Sequence, residues 1–540
     1  MYISSVSTWA FGLLVSTAHG TPAHPKPQSF SSKCTSFGSS LHIGSHPFNV
    51  TIAQYLPAAS VINTTAEGSN VTCAGYNDAP PISVNLCRIG LTVKTEGEGE
   101  VILETWLPEE WNGRFLSAGN GGFAGCIQYQ DIAYGVSYGF ATVGTNNGHN
   151  GTSAGAFFHQ PEVLRDFVWR ALYTGVEVGK DITKQFYHKE SCKSYYIGCS
   201  TGGRQGWKAA QAYPELFDGI IAGAPAIAWN GQLGWFGEML TSLGTNTSAT
   251  WLDAANWAAV QEEVMAQCDG LDGAVDGILE DTRKCRLDVT PLLCSSNGDK
   301  EGCLSQIQAE TMEKVFSPFL VDGEVQHSGA SHGYESALYE AFVGPLLEGW
   351  LQEWYAYVVY QDLSWTRANF SIDDVHAAFA LNPYNVQTFD TDLSAFRDLG
   401  GKILHWHGQA DQLLAVGNSD RYYDSVKATM NATSTELDEF YRYFRISGIN
   451  HCFGGPGAGM LGQGGGVAAG NDPDDNMLMR IVAWVEEGAA PEFVRGTKFV
   501  NDTPSLGVEF TRRHCKHPAV NVYTGTGNGT DEAGWTCVEE

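Results

Sequence analysis

Positive charge is scarce in this chain: 31 Lys and Arg residues stand against 60 Asp and Glu, for a formal net charge of −29 at pH 7. An acidic surface of that kind repels phosphate backbones and anionic headgroups, which excludes nucleic acid and an anionic membrane as partners. Long apolar runs are missing too. Beyond the N-terminal segment nothing approaches the ~18 consecutive apolar residues that a bilayer span requires. The glycine cluster at Gly119–Gly125 does not match G-x-G-x-x-G, and no acidic ribose partner follows a second strand, so the dinucleotide reading falls away. No internal repeat or long low-complexity tract appears. What remains is a chain of 540 residues, 43% hydrophobic, able to bury a large core in more than one domain.

Cysteine, by contrast, is plentiful. Thirteen are unusual for a reducing cytosol and ordinary in an oxidising compartment. N-x-S/T acceptor sites at Asn49, Asn63, Asn70, Asn150, Asn246, Asn369, Asn431, Asn501 and Asn528 fit a glycosylated surface. An apolar stretch from Trp9 to Val15 leads into Ser16-Thr17-Ala18 and a Pro-rich continuation. Residues 1–20 therefore read as a secretory signal peptide cut near Ala18 or Gly20, and the mature chain as an extracellular protein. The segment departs from the usual pattern in having no Lys or Arg before the apolar run.

The candidate chemistry begins at Gly198-Cys199-Ser200-Thr201-Gly202, which fits G-x-S-x-G, the strand-to-helix turn that exposes a nucleophilic serine. Ser194-Tyr195-Tyr196-Ile197 before it is strand-like, and a helical run from Arg204 ends at Pro214. The α/β-hydrolase order then asks for an acid and a histidine, in that sequence. Asp411 follows the strand-like Lys402–Gly408, and His451 lies in the glycine-flanked Gly448-Ile449-Asn450-His451-Cys452. The alternatives are Asp411 as a plain helix cap, Asp420 or Asp424 as the acid, and His405 or His407 as the base. A histidine within an apolar strand is more often a satisfied core residue, which favours His451. A disulfide between Cys199 and Cys452 would hold Ser200 and His451 side by side. For the oxyanion the expected donors are the N–H of Thr201, at a helix start, and those of Gly121 and Gly122 in the turn after the strand-like Phe115–Ala118.

These residues resemble the tannase and feruloyl esterase family, whose signature is a Cys-Ser, an Asp and a His-Cys with the two cysteines joined. Cys199-Ser200, Asp411 and His451-Cys452 supply all three parts. The strings GCSTGGRQGWKAA, FDGIIAGAPA, GTNNGHNGT, HWHGQADQL and HCFGGPGA are similar to the fungal feruloyl esterase branch, from about residue 34 to the C-terminus. The resemblance implies a secreted carboxylic ester hydrolase acting on feruloyl and related hydroxycinnamoyl esters of plant cell-wall polysaccharide. Galloyl ester hydrolysis is the alternative, and an inactive hydrolase fold serving as a binding module a more remote one. Proximity and resemblance together pair Cys34 with Cys87, Cys73 with Cys126, Cys268 with Cys285, Cys294 with Cys303 and Cys515 with Cys537, leaving Cys192 free.

Strand and helix patterns alternate from about Thr92 to Ala226, as a mostly parallel sheet requires, and resume at Lys402. The expected fold is an α/β-hydrolase domain made of residues 21–228 and 386–540. Residues 229–385, rich in Trp and Tyr, form a lid inserted between the serine and the acid. Within it, Asp269, Asp272 and Asp276 alternate with glycines, an arrangement that can wrap oxygen ligands around one cation without matching an EF-hand. The resemblance implies structural Ca2+ held there by Asp269, Asp272 and Asp276, with the carbonyls of Ala274 and Ile278, and no organic cofactor.

Overall fold

The computed structural model describes residues 1, 5, 29–75, 79–295, 300–468 and 472–539. Apart from Met1 and Ser5, the signal segment assigned to residues 1–20 lies outside them. The strands are β1 (Phe48–Leu56), β2 (Leu86–Lys94), β3 (Glu100–Pro108), β4 (Arg114–Ala118), β5 (Ala141–Thr145), β6 (Lys193–Cys199) and β7 (Gly219–Gly223). A short hairpin of β8 (Phe319–Val321) and β9 (Glu324–His327) precedes β10 (Lys402–Gly408) and β11 (Tyr441–Ile446). One nine-stranded sheet runs β1-β2-β3-β5-β4-β6-β7-β10-β11. From β5 to β11 neighbouring strands are parallel, whereas β1, β2, β3 and β5 pair antiparallel along the N-terminal side.

Parallel strands are covered on both faces, and their sequences show it. β7 (Gly-Ile-Ile-Ala-Gly) and β11 (Tyr-Arg-Tyr-Phe-Arg-Ile) are buried at every position. Successive side chains point to opposite sides. Phe115, Tyr196, Ile220 and Ile403 pack against the helices Ala171–Tyr187, Thr201–Ala212 and Gly417–Thr429. Leu116, Tyr195, Ile221 and Leu404 belong to the other layer, with Leu478, Ile481 and Trp484 of the helix Met477–Glu487. This is the α/β-hydrolase arrangement.

Between β7 and β10 the chain supplies most of a further hydrophobic core around Trp235, Trp257, Trp354, Leu347 and Val375, using the helices Trp229–Leu243, Ala254–Cys268, Pro345–Glu353 and Ile372–Leu381 among others; Phe123, Phe157, Phe167 and Leu414 join it from the sheet side. After β11 come the pairs β12 (Phe493–Phe499) with β13 (Val508–Cys515), and β14 (Val520–Tyr523) with β15 (Trp535–Val538). Disulfides join Cys34–Cys87, Cys73–Cys126, Cys268–Cys285, Cys294–Cys303 and Cys515–Cys537, while Cys192 is free and exposed. Among the described residues no helix is long and apolar enough to cross a membrane.

The glycine-rich stretch after His451 reads from sequence as a surface loop, yet part of it is packed down. Gln463 is buried, and its Nε2 donates to the carbonyls of Cys452 (3.2 Å) and Gly459 (2.9 Å). The N–H of Gly465 donates to Asp131 Oδ1 at 2.5 Å. Burial pushes the Asp131 carboxyl up to about 6, against the lowering effect of that hydrogen bond. An acid whose folded pKa is raised holds its proton longer in the native state, so its contribution to stability falls as pH rises from about 4 through about 6. Asp131→Asn keeps the acceptor and removes the charge. The variant should melt roughly 2 °C or more above wild type at pH 7.5 and close to wild type at pH 4, in thermal scans at the two pH values.

Candidate active site

Ser200 sits where β6 ends and the helix Thr201–Ala212 begins, with φ 65° and ψ −123°. A non-glycine residue at positive φ is strained, and such strain recurs where a side chain must be presented outward. Two glycines make the turn possible. A Cβ on Gly198 would come within 2.8 Å of the Gly202 backbone, and one on Gly202 within 3.0 Å of the Asn120 carbonyl oxygen. The Ser200 N–H donates to Gly223 O at 3.0 Å, which ties the turn to the end of β7.

The glycine turn after β4 is fastened to this elbow. Thr201 Oγ1 donates to Gly122 O at 2.9 Å, and the Asn120 N–H donates to Gln205 Oε1 at 3.0 Å. Gln205 Nε2 in turn reaches Asn120 Oδ1 (3.2 Å) and Asn147 Oδ1 (3.0 Å). Gly122 lines the cavity beside Ser200, whereas the Gly121 carbonyl accepts from the Ala124 N–H at 2.9 Å within the turn. Thr201 opens its helix, so its N–H has no intrahelical acceptor.

Asp411 follows β10 after a two-residue turn and is wholly buried at its side chain. Oδ1 accepts from the N–H groups of Leu413 (2.9 Å) and Leu414 (2.8 Å), and Oδ2 from His451 Nδ1 at 2.7 Å. Burial alone would raise this carboxyl. The charge of His451 and hydrogen bonds from His407 and His451 outweigh it, holding the group well below the usual carboxylate range. The helix cap weighed for Asp411 belongs to Val416, at the start of the helix Gly417–Thr429. Asp420 faces Tyr443 Oη (3.0 Å) and Arg445 Nε (3.2 Å) instead. The His451 N–H donates to Gln412 Oε1 at 3.1 Å. With Nδ1–H spent on Asp411, Nε2 of His451 is left as a base. The Cys199–Cys452 disulfide, Cα–Cα 6.0 Å, joins the residue before Ser200 to the residue after His451.

A narrow pocket opens beside Ser200, lined by Gly122, Phe123, Thr201, Ala226, Trp229, Gln232, Leu233, Phe236, Trp350 and Leu414. Its walls are apolar apart from Ser200, Thr201, Gln232 and the indole N–H groups of Trp229 and Trp350; the amide of Gln232 is committed, whereas Trp229 Nε1 is buried without a partner. Gln232 Oε1 lies 3.0 Å from His327 Nε2, while its Nε2 donates to Leu413 O at 3.0 Å. Because His327 Nδ1 accepts from the Gly329 N–H (3.1 Å), its Nε2 is the protonated nitrogen. The abundance of aromatics after residue 229 signals such a wall, but not which of them face the serine. Arg204, unmarked in the sequence, is buried with its guanidinium 5.1 Å from the Trp229 ring, and burial lowers its pKa to about 10.

The calcium expectation is corrected. Among the described residues no group of three or more His, Cys, Asp or Glu side chains is placed to hold a metal ion. The three carboxylates turn onto separate partners. Asp269 accepts from the Gly277 N–H (3.0 Å), and Asp272 from the N–H groups of Ala274 (3.0 Å) and Glu280 (3.1 Å). Asp276 accepts from the Ile278 N–H (3.1 Å) and pairs with Arg512 Nη2 at 2.8 Å. The carbonyls of Ala274 and Ile278 therefore have no shared carboxylate site to complete.

Comparison with known proteins agrees with this geometry. A family profile described as "Tannase and feruloyl esterase" matches residues 87–354 and 352–538. The chain is 44% identical over 520 residues to a probable feruloyl esterase B-2 of Aspergillus terreus, covering 96% of this chain and 97% of that protein. It is 45% identical over 521 residues to feruloyl esterase C of Talaromyces stipitatus, covering 95% of each. The crystal structure of feruloyl esterase B from Aspergillus oryzae superposes with TM-score 0.90 at 42% identity, over 94% of this chain and 100% of that one. Tannin acyl hydrolase from Aspergillus niger, at 23% identity and TM-score 0.69 over 94% and 95% of the two chains, shares the fold. On that coverage the chain belongs to the tannase and feruloyl esterase family of ester hydrolases.

Proposed function

We propose that this protein is a secreted serine carboxylesterase that removes feruloyl and related hydroxycinnamoyl groups from plant cell-wall polysaccharide, with Ser200, His451 and Asp411 as its triad. The observation that carries the reading is the 2.7 Å contact between Asp411 Oδ2 and His451 Nδ1, bridged to the strained Ser200 turn by the Cys199–Cys452 bond. Secretion is supported by the leader-like N-terminus and the disulfides.

In this reading His451 Nε2 takes the Ser200 proton as Oγ attacks the ester carbonyl. The negative oxygen that forms is met by the N–H groups of Thr201 and Gly122, with Gly121 shaping the turn. The tetrahedral species collapses, and the alcohol leaves with the proton from His451. Water, deprotonated by the same imidazole, then releases the acid from Ser200. Residues 229–385 act as a lid, since Trp229, Gln232, Leu233, Phe236 and Trp350 supply five of the eleven residues around the acyl group.

That wall favours a cinnamoyl over a galloyl group. Three phenolic hydroxyls on one ring lose their water on entry, and an apolar cavity with one committed amide replaces few of those hydrogen bonds. Accordingly kcat/KM should be at least ~10-fold higher on methyl ferulate than on methyl gallate, since a buried hydroxyl without a partner costs about 1–3 kcal/mol. A preference for gallate would transfer the chain to the galloyl branch.

Ser200→Ala and His451→Ala should each lower kcat at least ~10³-fold, and Asp411→Asn should be comparably severe through the wrong imidazole tautomer. Near-normal turnover of a chromogenic ester by either alanine variant would leave a hydrolase fold without this triad. The double variant Cys199→Ala, Cys452→Ala opens a loop closed over 253 positions, for which the chain-entropy argument gives on the order of 5 kcal/mol. It should melt lower and lose most of its kcat, because a ~1 Å displacement of His451 is worth roughly 10²-fold. Wild-type kcat in a folded double variant would confine the bridge to stability.

A further inference from the structure

Behind the triad acid lies a row of buried polar side chains that the proposed chemistry does not use. His407 Nε2 is 2.7 Å from Leu414 O and 3.2 Å from Asp411 Oδ2. Its Nδ1 is 2.7 Å from Ser419 Oγ. The same hydroxyl lies 2.9 Å from His405 Nε2, and His405 Nδ1 is 2.9 Å from Tyr441 Oη. All four residues are completely buried, so none of these protons is supplied by solvent.

The direction of every hydrogen follows from its neighbours. A carbonyl oxygen only accepts, so His407 Nε2 carries the proton and donates it to Leu414 O, with Asp411 Oδ2 3.2 Å from the same nitrogen. In the neutral ring Nδ1 is then bare and takes the Ser419 hydroxyl hydrogen. That hydroxyl has one hydrogen to give, so toward His405 it accepts, which places the His405 proton on Nε2. His405 Nδ1 is bare in turn and accepts from Tyr441 O–H. A proton added at His407 Nδ1 would make Ser419 an acceptor on both sides, with its own hydrogen unplaced. Burial holds the His405 ring neutral, its pKa lying well below the ordinary value, with His407 and His517 adding to the effect. The chain runs one way, from Tyr441 to His407, and brings the His407 N–H up beside the Asp411 carboxylate.

We propose that His407 is a positioning residue for the triad acid, with Ser419, His405 and Tyr441 serving it by fixing its tautomer. The role rests on Asp411 being that acid. Leu413 and Leu414 hold Oδ1 and His451 holds Oδ2, while His407 Nε2 stands 3.2 Å from Oδ2 and ties down the carbonyl of Leu414, so the ring backs the carboxylate against rotation away from the imidazole. Aligned dipoles behind His407 strengthen its donation, as hydrogen bonds in series do. They keep Asp411 ionised at the moment His451 becomes an imidazolium.

The test is steady-state hydrolysis of methyl ferulate by folded variants. His407→Leu, which removes the donor, should lower kcat about 10-fold or more with KM within twofold, the mark of lost geometry at the reacting groups. His407→Gln places an amide N–H near the old Nε2 and should recover most of the loss, whereas a purely space-filling role predicts no advantage for Gln over Leu. Ser419→Ala should act in the same direction more weakly, and Tyr441→Phe more weakly still. Wild-type kcat in His407→Leu, or equal impairment of the Leu and Gln variants, overturns the proposal. If His407→Leu does not fold, Ser419→Ala decides, and wild-type kcat there overturns it. Asp411→Asn in the same assay separates the two readings: retained activity removes the acid assignment itself, and its loss beside an unimpaired His407→Leu removes only the role of His407.

Discussion

The register of four parallel strands is the constraint on which the site depends. Cys199 at the end of β6 stands opposite Gly223 of β7, Gly223 opposite Trp406 of β10, and Gly408 opposite Ile446 at the end of β11. The connections that carry Ser200, Asp411 and His451 therefore leave the sheet along one edge. A slip of one residue would exchange the two faces, sending Tyr196 and Ile220 where Tyr195 and Ile221 now pack. Two differently filled helix layers make that slip costly. The positions of Ser200, Asp411 and His451 are thus set by side chains packed between the sheet and its helices.

Much of this was legible in the chain. The elbow announces itself because its chemistry needs small residues around the serine and a strand-to-helix change across it, and both are local properties. Asp411 stands out as a candidate by its place after a strand-like run and His451 by its glycine-flanked loop beside a cysteine, and the two side chains lie 2.7 Å apart. The inserted helical core was visible as a break in the strand and helix rhythm. Other features depend on partners far away in sequence. The acidic loop at residues 269–276 shows its carboxylates but not their directions, and Asp276 turns to Arg512, 236 positions on. His407 looks like a satisfied core histidine, and it is one, yet its Nε2 also stands 3.2 Å from Asp411 Oδ2. Which tryptophans line the cavity follows from how the inserted helices are stacked, and no single helix's periodicity contains that.

The same loop illustrates how the inserted segment is joined to the sheet. Glu280 receives Ser447 Oγ (2.8 Å) and Arg512 Nη1 (2.6 Å), while Asp281 pairs with Arg445 Nη1 at 2.6 Å. Each charge is buried and each has an opposite partner. Such pairs add little net stability over apolar contacts, but removing one member strands the other in a medium that cannot solvate it. They act mainly as a registration device, aligning the inserted helices with the end of β11, where the chain turns toward His451.

The Cys199–Cys452 bond has a topological consequence as well. It turns the polypeptide between its two sulfurs into a closed covalent ring, which contains every helix of the inserted layer and the strands β7 to β11. A single proteolytic cut within that ring opens it without releasing a fragment, because the two pieces stay linked through the sulfurs. Ser200 and His451 lie just inside opposite ends of the ring, so after such a nick they belong to different peptide chains while still anchored to one shared bridge. Loops of the inserted layer can thus be clipped without the chain coming apart beside Ser200 and His451.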